Sequence, residues 1–171
     1  MIKGKVWKYG DDVNTDIIFP GKYTYTLMEP AEMAKHALED LDPEFARRVE
    51  PGDVIVAGKN FGCGSSREQA AACLKAAGVQ AVIAKSFARI YFRNAINLGL
   101  PVLQSGEASE SLQPGDEVEI DFAGGRIIAG GRVFKFPPLP DSVIGIIEAG
   151  GLIEFTKKKM QTRNRARLDI E

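Results

Sequence analysis

The sequence predicts a mixed α/β domain, with βαβ units through its middle, an antiparallel meander after them, and helices on one side. Three observations carry this. Val54-Ile55-Val56-Ala57 and Val79-Gln80-Ala81-Val82-Ile83-Ala84 are short apolar runs flanking a helical stripe of Ala70, Cys73, Leu74 and Ala77 that Gly78 stops, the mark of strands covered on both faces and joined by a helix. Further on, Gly124-Gly125 and Gly130-Gly131 separate EVEIDF, RIIAG and RVFKF, which reads as two successive hairpins. At 171 residues, 44% hydrophobic and 26% charged, the chain has material for one well-buried core and is short for two.

The elements follow in order. IKGKVWKY alternates loosely enough for a strand and runs into the turn-rich GDDVNTD. After the apolar Ile17-Ile18-Phe19, PGKYTYTLMEP reads as loop, and Pro30 opens a helix through AEMAKHALEDL. Pro43 begins a second short helix, PEFARRV, and Pro51-Gly52-Asp53 turns into the first buried strand. The cluster GKNFGCGSSRE comes next, and a helix is expected from Ser66 to Gly78. Ser86 to Ile96 reads as a third helix ending near Gly99, before a strand at Leu100-Pro101-Val102-Leu103. Asp141 or Ser142 caps a last helix, VIGIIEAG, and Gly150-Gly151 leads into the basic end.

Composition excludes several classes of function. Cys63 and Cys73 lie outside any CxxC motif and His36 is the single histidine, so no zinc or cluster site is expected in this chain. No apolar run reaches the roughly 18 residues that span a bilayer, and the N-terminus has no signal-like core, so a cytoplasmic protein is expected with no membrane role. Thr156 to Glu171 carries six Lys/Arg against two acids, and this surplus leaves the remaining residues at about −5 within a net charge of −1. No aromatic residue interleaves these charges, so the tail reads as a solvated end or a partner-docking strip and no nucleic-acid partner is expected.

The residues with chemistry gather in GKNFGCGSSRE. A glycine-rich turn between a buried strand and a helix collects free backbone N–H groups beside the positive helix end, which suits an anion. Gly62 and Gly64 allow close approach to the main chain, and Arg67 adds a planar fork for a carboxylate or a phosphate. Ser65 and Glu68 also match a capping box. That does not account for Arg67, whose charge opposes the helix dipole and calls for a ligand or an ion-pair partner. The phosphate loop of nucleotide enzymes, GxGxxG and GxSxG are all absent, and Cys63 has no second motif to make it a nucleophile.

Taken together, GCGSSREQA, the following VIAKSFARIYFRNAINLGLPVL and the preceding DDVNTDIIFPGKY resemble the small subunit of 3-isopropylmalate dehydratases, the detached swivelling domain of the aconitase superfamily. The likeness runs from about Lys3 to Gly151. It implies a swivelling β/β/α domain, aconitase C-terminal-domain-like, with a mixed central sheet over residues 1–155, followed by the basic tail 156–171. It implies a large subunit carrying a [4Fe–4S] cluster, none being bound by this chain, and a small dicarboxylate substrate. The implied reaction is a hydro-lyase isomerisation of 2-isopropylmalate and 3-isopropylmalate, by dehydration and rehydration, in leucine biosynthesis.

By the same resemblance Ser65 is the catalytic base, while Gly64, Ser66, Arg67 and Arg89 bind substrate, Arg89 being equally suited to a structural ion pair. Asp16 braces the cleft, and Tyr23, Thr24, Tyr25 and Thr26 form the substrate-selecting loop. That loop has no arginine to meet a third carboxylate, which favours an uncharged branched substituent over a homoaconitate-type one. Thr24 and Tyr25 depart from the commoner pattern, so 2,3-dimethylmalate and citraconate or citramalate stay open as substrates. A stand-alone anion-binding module and self-association of the small subunit also stay open.

Overall fold

The computed structural model describes residues 2–168. β1 (Ile2–Lys8) lies at the centre of a seven-stranded sheet. On one side it pairs in parallel with β2 (Val54–Ala57), which is followed outward by β3 (Ala81–Ala84) and β4 (Val102–Gln104), also parallel. On the other side it pairs antiparallel with β5 (Glu117–Asp121), which leads to β6 (Arg126–Ala129) and β7 (Arg132–Lys135). β1 divides its length between the two halves: Val6 to Lys8 register with Val54 to Val56, and Ile2 to Lys5 with Ile120 to Glu117.

The sheet curls. Ile55, Val82 and Val102 face one core with the helices, whereas Val54, Val56, Ala81, Ile83 and Leu103 face a second core with Val118, Ile120, Ile127 and Phe134 of the meander. The meander therefore covers the far face of the parallel strands. Ser105 Oγ, just past β4, donates to the Lys135 carbonyl of β7 at 2.8 Å, which ties the start of α6 to the last strand. Every residue of β2 and β3 is buried; at about 1.5–3 kcal/mol for each fully buried Val or Ile side chain, these short strands supply a large share of the driving force.

α4 (Gln69–Ala76), α5 (Arg89–Leu98) and α7 (Asp141–Ala149) lie on the first face. α5 and α7 end on Gly99 and Gly150, both left-handed. Lys75 Nζ donates to the Leu98 and Gly150 carbonyls, 2.7 Å in the second case, which ties the two helix ends to α4. α6 (Gly106–Ser111) packs Ala108 into the second core, so the helices are not confined to one side. It has no apolar stripe and starts because Ser105 caps it, accepting from the Ala108 amide.

Other boundaries depart from expectation for physical reasons. α2 is only Pro30–Ala34, because Leu38 is buried with φ 57° and gives its amide to the Ile18 carbonyl in place of a helical one. The short α3 spans Phe45–Arg48. β3 starts two residues after Val79, whose amide bonds Leu74 at the end of α4, and α5 starts at Arg89 because Ala88 is extended. Pro140 is the N-cap of α7, with no side-chain cap. The basic stretch is helical: α8 spans Leu152–Leu168, and its Phe155 fits against Gly145, where a Cβ would come within 2.8 Å of the ring.

Candidate active site

Loops leaving the carboxyl ends of β1, β2 and β3 interlock at one edge of the sheet, where open α/β sheets place their ligands. The Gly62 amide donates to the Val13 carbonyl and the Thr15 amide to the Cys63 carbonyl, both at 2.8 Å. Phe61 exchanges main-chain bonds with the 86–88 loop: its amide donates to the Ser86 carbonyl, and its carbonyl accepts from the Ala88 amide. Asp11 accepts from the Lys59 amide, and Asp12 from the Asn60 side chain. Gly62 is glycine for two reasons. Its φ is +78°, and a Cβ there would lie 2.1 Å from Cγ of the fully buried Tyr91.

This zipper delivers Ser65 and Arg67 to α1 (Thr15–Ile18), which Asn14 caps by accepting from the Ile17 amide. Arg67 is the hub. Its Nε donates to Ser65 Oγ at 3.0 Å, its Nη1 to Thr24 Oγ1 at 2.6 Å, and its Nη2 pairs with the Asp16 carboxylate. Thr15 Oγ1 lies 3.2 Å from Ser65 Oγ and donates to the Ser65 carbonyl at 3.1 Å. Gln69 Nε2 holds the Thr24 carbonyl, and Asn94 Nδ2 of α5 reaches the Ser66 carbonyl. Gly64, Ser65 and Ser66 are exposed around this centre.

The expected capping box does not form. α4 begins at Gln69, its N-cap is Glu68, and no side chain caps it. Ser65 Oγ instead accepts from Arg67 Nε and lies beside Thr15 Oγ1, and Arg67 sits just before the helix, still at its positive end, where Asp16 answers its charge. The cation that looked misplaced is balanced by Asp16 and Thr24, residues 51 and 43 positions away in the chain. Burial, with Asp12 adding to it, pushes the Cys63 thiol up, so it stays neutral and is a poor nucleophile.

The four loop residues divide. Tyr23 turns inward, its ring 4.1 Å from His36 and its hydroxyl donating to Glu39, which also meets His36 and Lys22. Thr24 turns toward Arg67. Tyr25 and Thr26 are exposed, and Tyr25 stands fully in solvent beside an equally exposed Leu27. Arg89, the first residue of α5, is exposed in a shallow hollow with Phe87, Phe92, Arg93 and Gln104, and no hydrogen bond joins it to the Ser65–Arg67 group. Thr15, Gln69 and Asn94 escaped the sequence reading. Only the Asn-Thr-Asp run carried a local signal, an asparagine placed to cap a short helix.

Chemically, the cluster offers a serine hydroxyl held by a guanidinium and a second hydroxyl, with a carboxylate beside it. Among the described residues no group of three His, Cys, Asp or Glu side chains could hold a metal ion. Among them, too, no helix is long and apolar enough to cross a membrane.

A serine and arginine on a glycine loop, at the carboxyl edge of a sheet covered by its own meander, define an aconitase-type domain. The aconitase C-terminal domain family matches residues 16–107, and the chain belongs to it. More narrowly, the chain stands among the 3-isopropylmalate dehydratase small subunits. It is 52% identical to the one from Thermodesulfovibrio yellowstonii over 161 residues, covering 93% of this chain and 95% of that one. With small subunit 1 from Archaeoglobus fulgidus it shares 54% over 156 residues, 90% and 96% of the two chains. An isopropylmalate/citramalate isomerase small subunit from Methanocaldococcus jannaschii is 50% identical over 163 residues, 94% and 96% of the two chains. The crystal structure of 3-isopropylmalate dehydratase (leuD) from that organism superimposes with a TM-score of 0.90 at 44% identity, covering 96% of this chain and 98% of that one.

Proposed function

We propose that the chain is the small subunit of a 3-isopropylmalate dehydratase, working in the cytoplasm in leucine biosynthesis and active only with a large subunit. The observation that carries this reading is the Arg67 fork, joined to Ser65, Thr24 and Asp16 at the sheet edge. The 1–155 body supplies the chemistry, and the basic 156–171 stretch takes no part in it.

Ser65, as alkoxide, takes the proton next to a substrate carboxylate: the C–H bond breaks, its electron pair stays on carbon, and a serine O–H forms. In rehydration the same proton returns to the substrate. A serine hydroxyl ionises far above neutral pH, so its anion needs donors already aimed at it, and Arg67 Nε at 3.0 Å is one. Arg67 and Ser66, with the exposed Gly64 main chain, hold the carboxylate; Arg89, at the rim, meets its far end. Asp16 braces Arg67. A [4Fe–4S] cluster on the large subunit would supply Lewis-acid chemistry at the leaving hydroxyl. Tyr25 and Thr26 close over the substituent that distinguishes substrates, while Tyr23 anchors their loop.

Citramalate is a second substrate reading, favoured by the 50% identity to the isopropylmalate/citramalate isomerase subunit. The test is anaerobic reconstitution with the large subunit, assayed with isopropylmalate, dimethylmalate, citramalate and homocitrate. Turnover is expected only for the pair, and Ser65→Ala should abolish it while the subunits still assemble. Tight citrate or phosphate binding by the isolated chain, with no turnover after reconstitution, would favour an anion-binding module. Sedimentation of the chain alone settles self-association.

A further inference from the structure

Thr15 is 1% exposed, yet its hydroxyl lies at the one point where it can reach two oxygens of the same residue. It is 3.1 Å from the Ser65 carbonyl and 3.2 Å from Ser65 Oγ. Its position is set from three sides. The Thr15 amide is bonded to the Cys63 carbonyl, its carbonyl accepts from the Phe19 amide, and Asn14 caps the short helix it begins. The glycine loop presses against it: a Cβ on Gly64 would come within 3.3 Å of the hydroxyl oxygen. A buried threonine side chain has few rotamers and little room to leave this position.

We propose that Thr15 is a positioning residue that stabilises the anionic form of Ser65. The inference rests on the reading of Ser65 as the base. With Ser65 neutral, Thr15 donates to the Ser65 carbonyl and accepts from the Ser65 hydroxyl. Once Ser65 has lost its proton, the Thr15 O–H swings onto the alkoxide, joining Arg67 Nε as a second donor. No heavy atom has to move, because both acceptors already lie within hydrogen-bond reach. When Ser65 takes the substrate proton, the Thr15 O–H swings back to the carbonyl. The proton of Thr15 never leaves it, so the transferred proton is accounted for between substrate and Ser65 alone. A donor buried away from water and fixed in advance is the arrangement that stabilises developing negative charge most effectively.

The test uses the reconstituted two-subunit enzyme with Thr15→Val, Thr15→Ala, Thr15→Ser and Ser65→Ala. Both variants without the hydroxyl should lower kcat about 100-fold, the loss typical of one oxyanion donor, with KM within about threefold. The alkaline rise of kcat should move to higher pH, because the serine anion has lost a donor. Thr15→Ser, which keeps the hydroxyl, should recover activity to within about fivefold. Should Thr15→Val fail to fold, Thr15→Ala, which adds nothing to the site, carries the same comparison. Wild-type kcat and pH profile in either hydroxyl-free variant, with Ser65→Ala inactive, overturns the role of Thr15 and leaves Ser65 as the base. An active Ser65→Ala overturns both.

Discussion

Arg67 and Thr24 join two loops that are 43 residues apart in sequence, through a single 2.6 Å hydrogen bond from Nη1 to Oγ1. Since Nε and Nη2 are taken by Ser65 and Asp16, all three nitrogens of the guanidinium have partners before any substrate arrives. Nη1 and Nη2 each carry a second N–H, so an incoming carboxylate can be met by the fork while the contacts to Ser65, Thr24 and Asp16 hold the guanidinium in place.

Arg67→Lys keeps the charge and loses the fork. An ammonium on a flexible stem cannot meet Ser65, Thr24 and Asp16 in three fixed directions. The expected result is a fall in kcat/KM of at least about 100-fold in the reconstituted enzyme, with thermal stability of the free subunit little changed, as measured by steady-state kinetics and a melting curve.

Gly62→Ala should be among the most damaging single-methyl additions in the chain. The new Cβ meets the ring of a Tyr91 that has nowhere to go, in a backbone conformation that L-residues avoid. Overpacking and the left-handed φ together predict a loss of about 3 kcal/mol, read from urea unfolding of the isolated subunit.

Tyr91→Phe should do the opposite. The Tyr91 hydroxyl is buried with no hydrogen-bond partner among the described residues, and burial holds it far above the usual phenol range. Removing an unsatisfied polar atom while keeping the ring against Gly62 and Phe61 should leave stability unchanged or raise it by about 1 kcal/mol in the same urea experiment.

The loop anchor predicts a pH dependence. Burial of Glu39 favours its neutral form, but hydrogen bonds from Lys22 and His36 outweigh this and hold the carboxyl below its usual range. Its contribution is therefore present above the unfolded-state value of about 4.3 and is lost as pH falls through the lower folded value. The melting temperature should drop on acidification across that window, and Glu39→Gln should flatten this part of the profile.

Strands β2 and β3 were legible because both faces are covered, so the apolar runs could not be mistaken for half-exposed strands. The hairpins announced themselves through paired glycines. Other features hung on distant residues. Ser65 reads locally as a helix cap, but its hydroxyl meets Arg67 and, fifty residues earlier, Thr15. The helix from Pro30 reads longer than it is because Leu38 answers to Ile18 and not to its own neighbours. The stretch from residue 156 reads as a charged tail because no apolar stripe runs along it, whereas residues 152–168 form one helix, with Phe155 seated on Gly145. The oddity of Arg67 was visible in the sequence, but its partners were not.

The bond between Ser105 and Lys135 has a consequence for the life of the subunit before it meets a partner. β4 and β7 are the strands whose outer N–H and C=O groups would invite another chain to add itself to the sheet. By curling until Ser105, the residue after β4, bonds the Lys135 carbonyl of β7, the fold engages a main-chain group of its last strand. A subunit synthesised apart from the protein it is proposed to work with can thus wait in solution with less risk of fibrous self-addition.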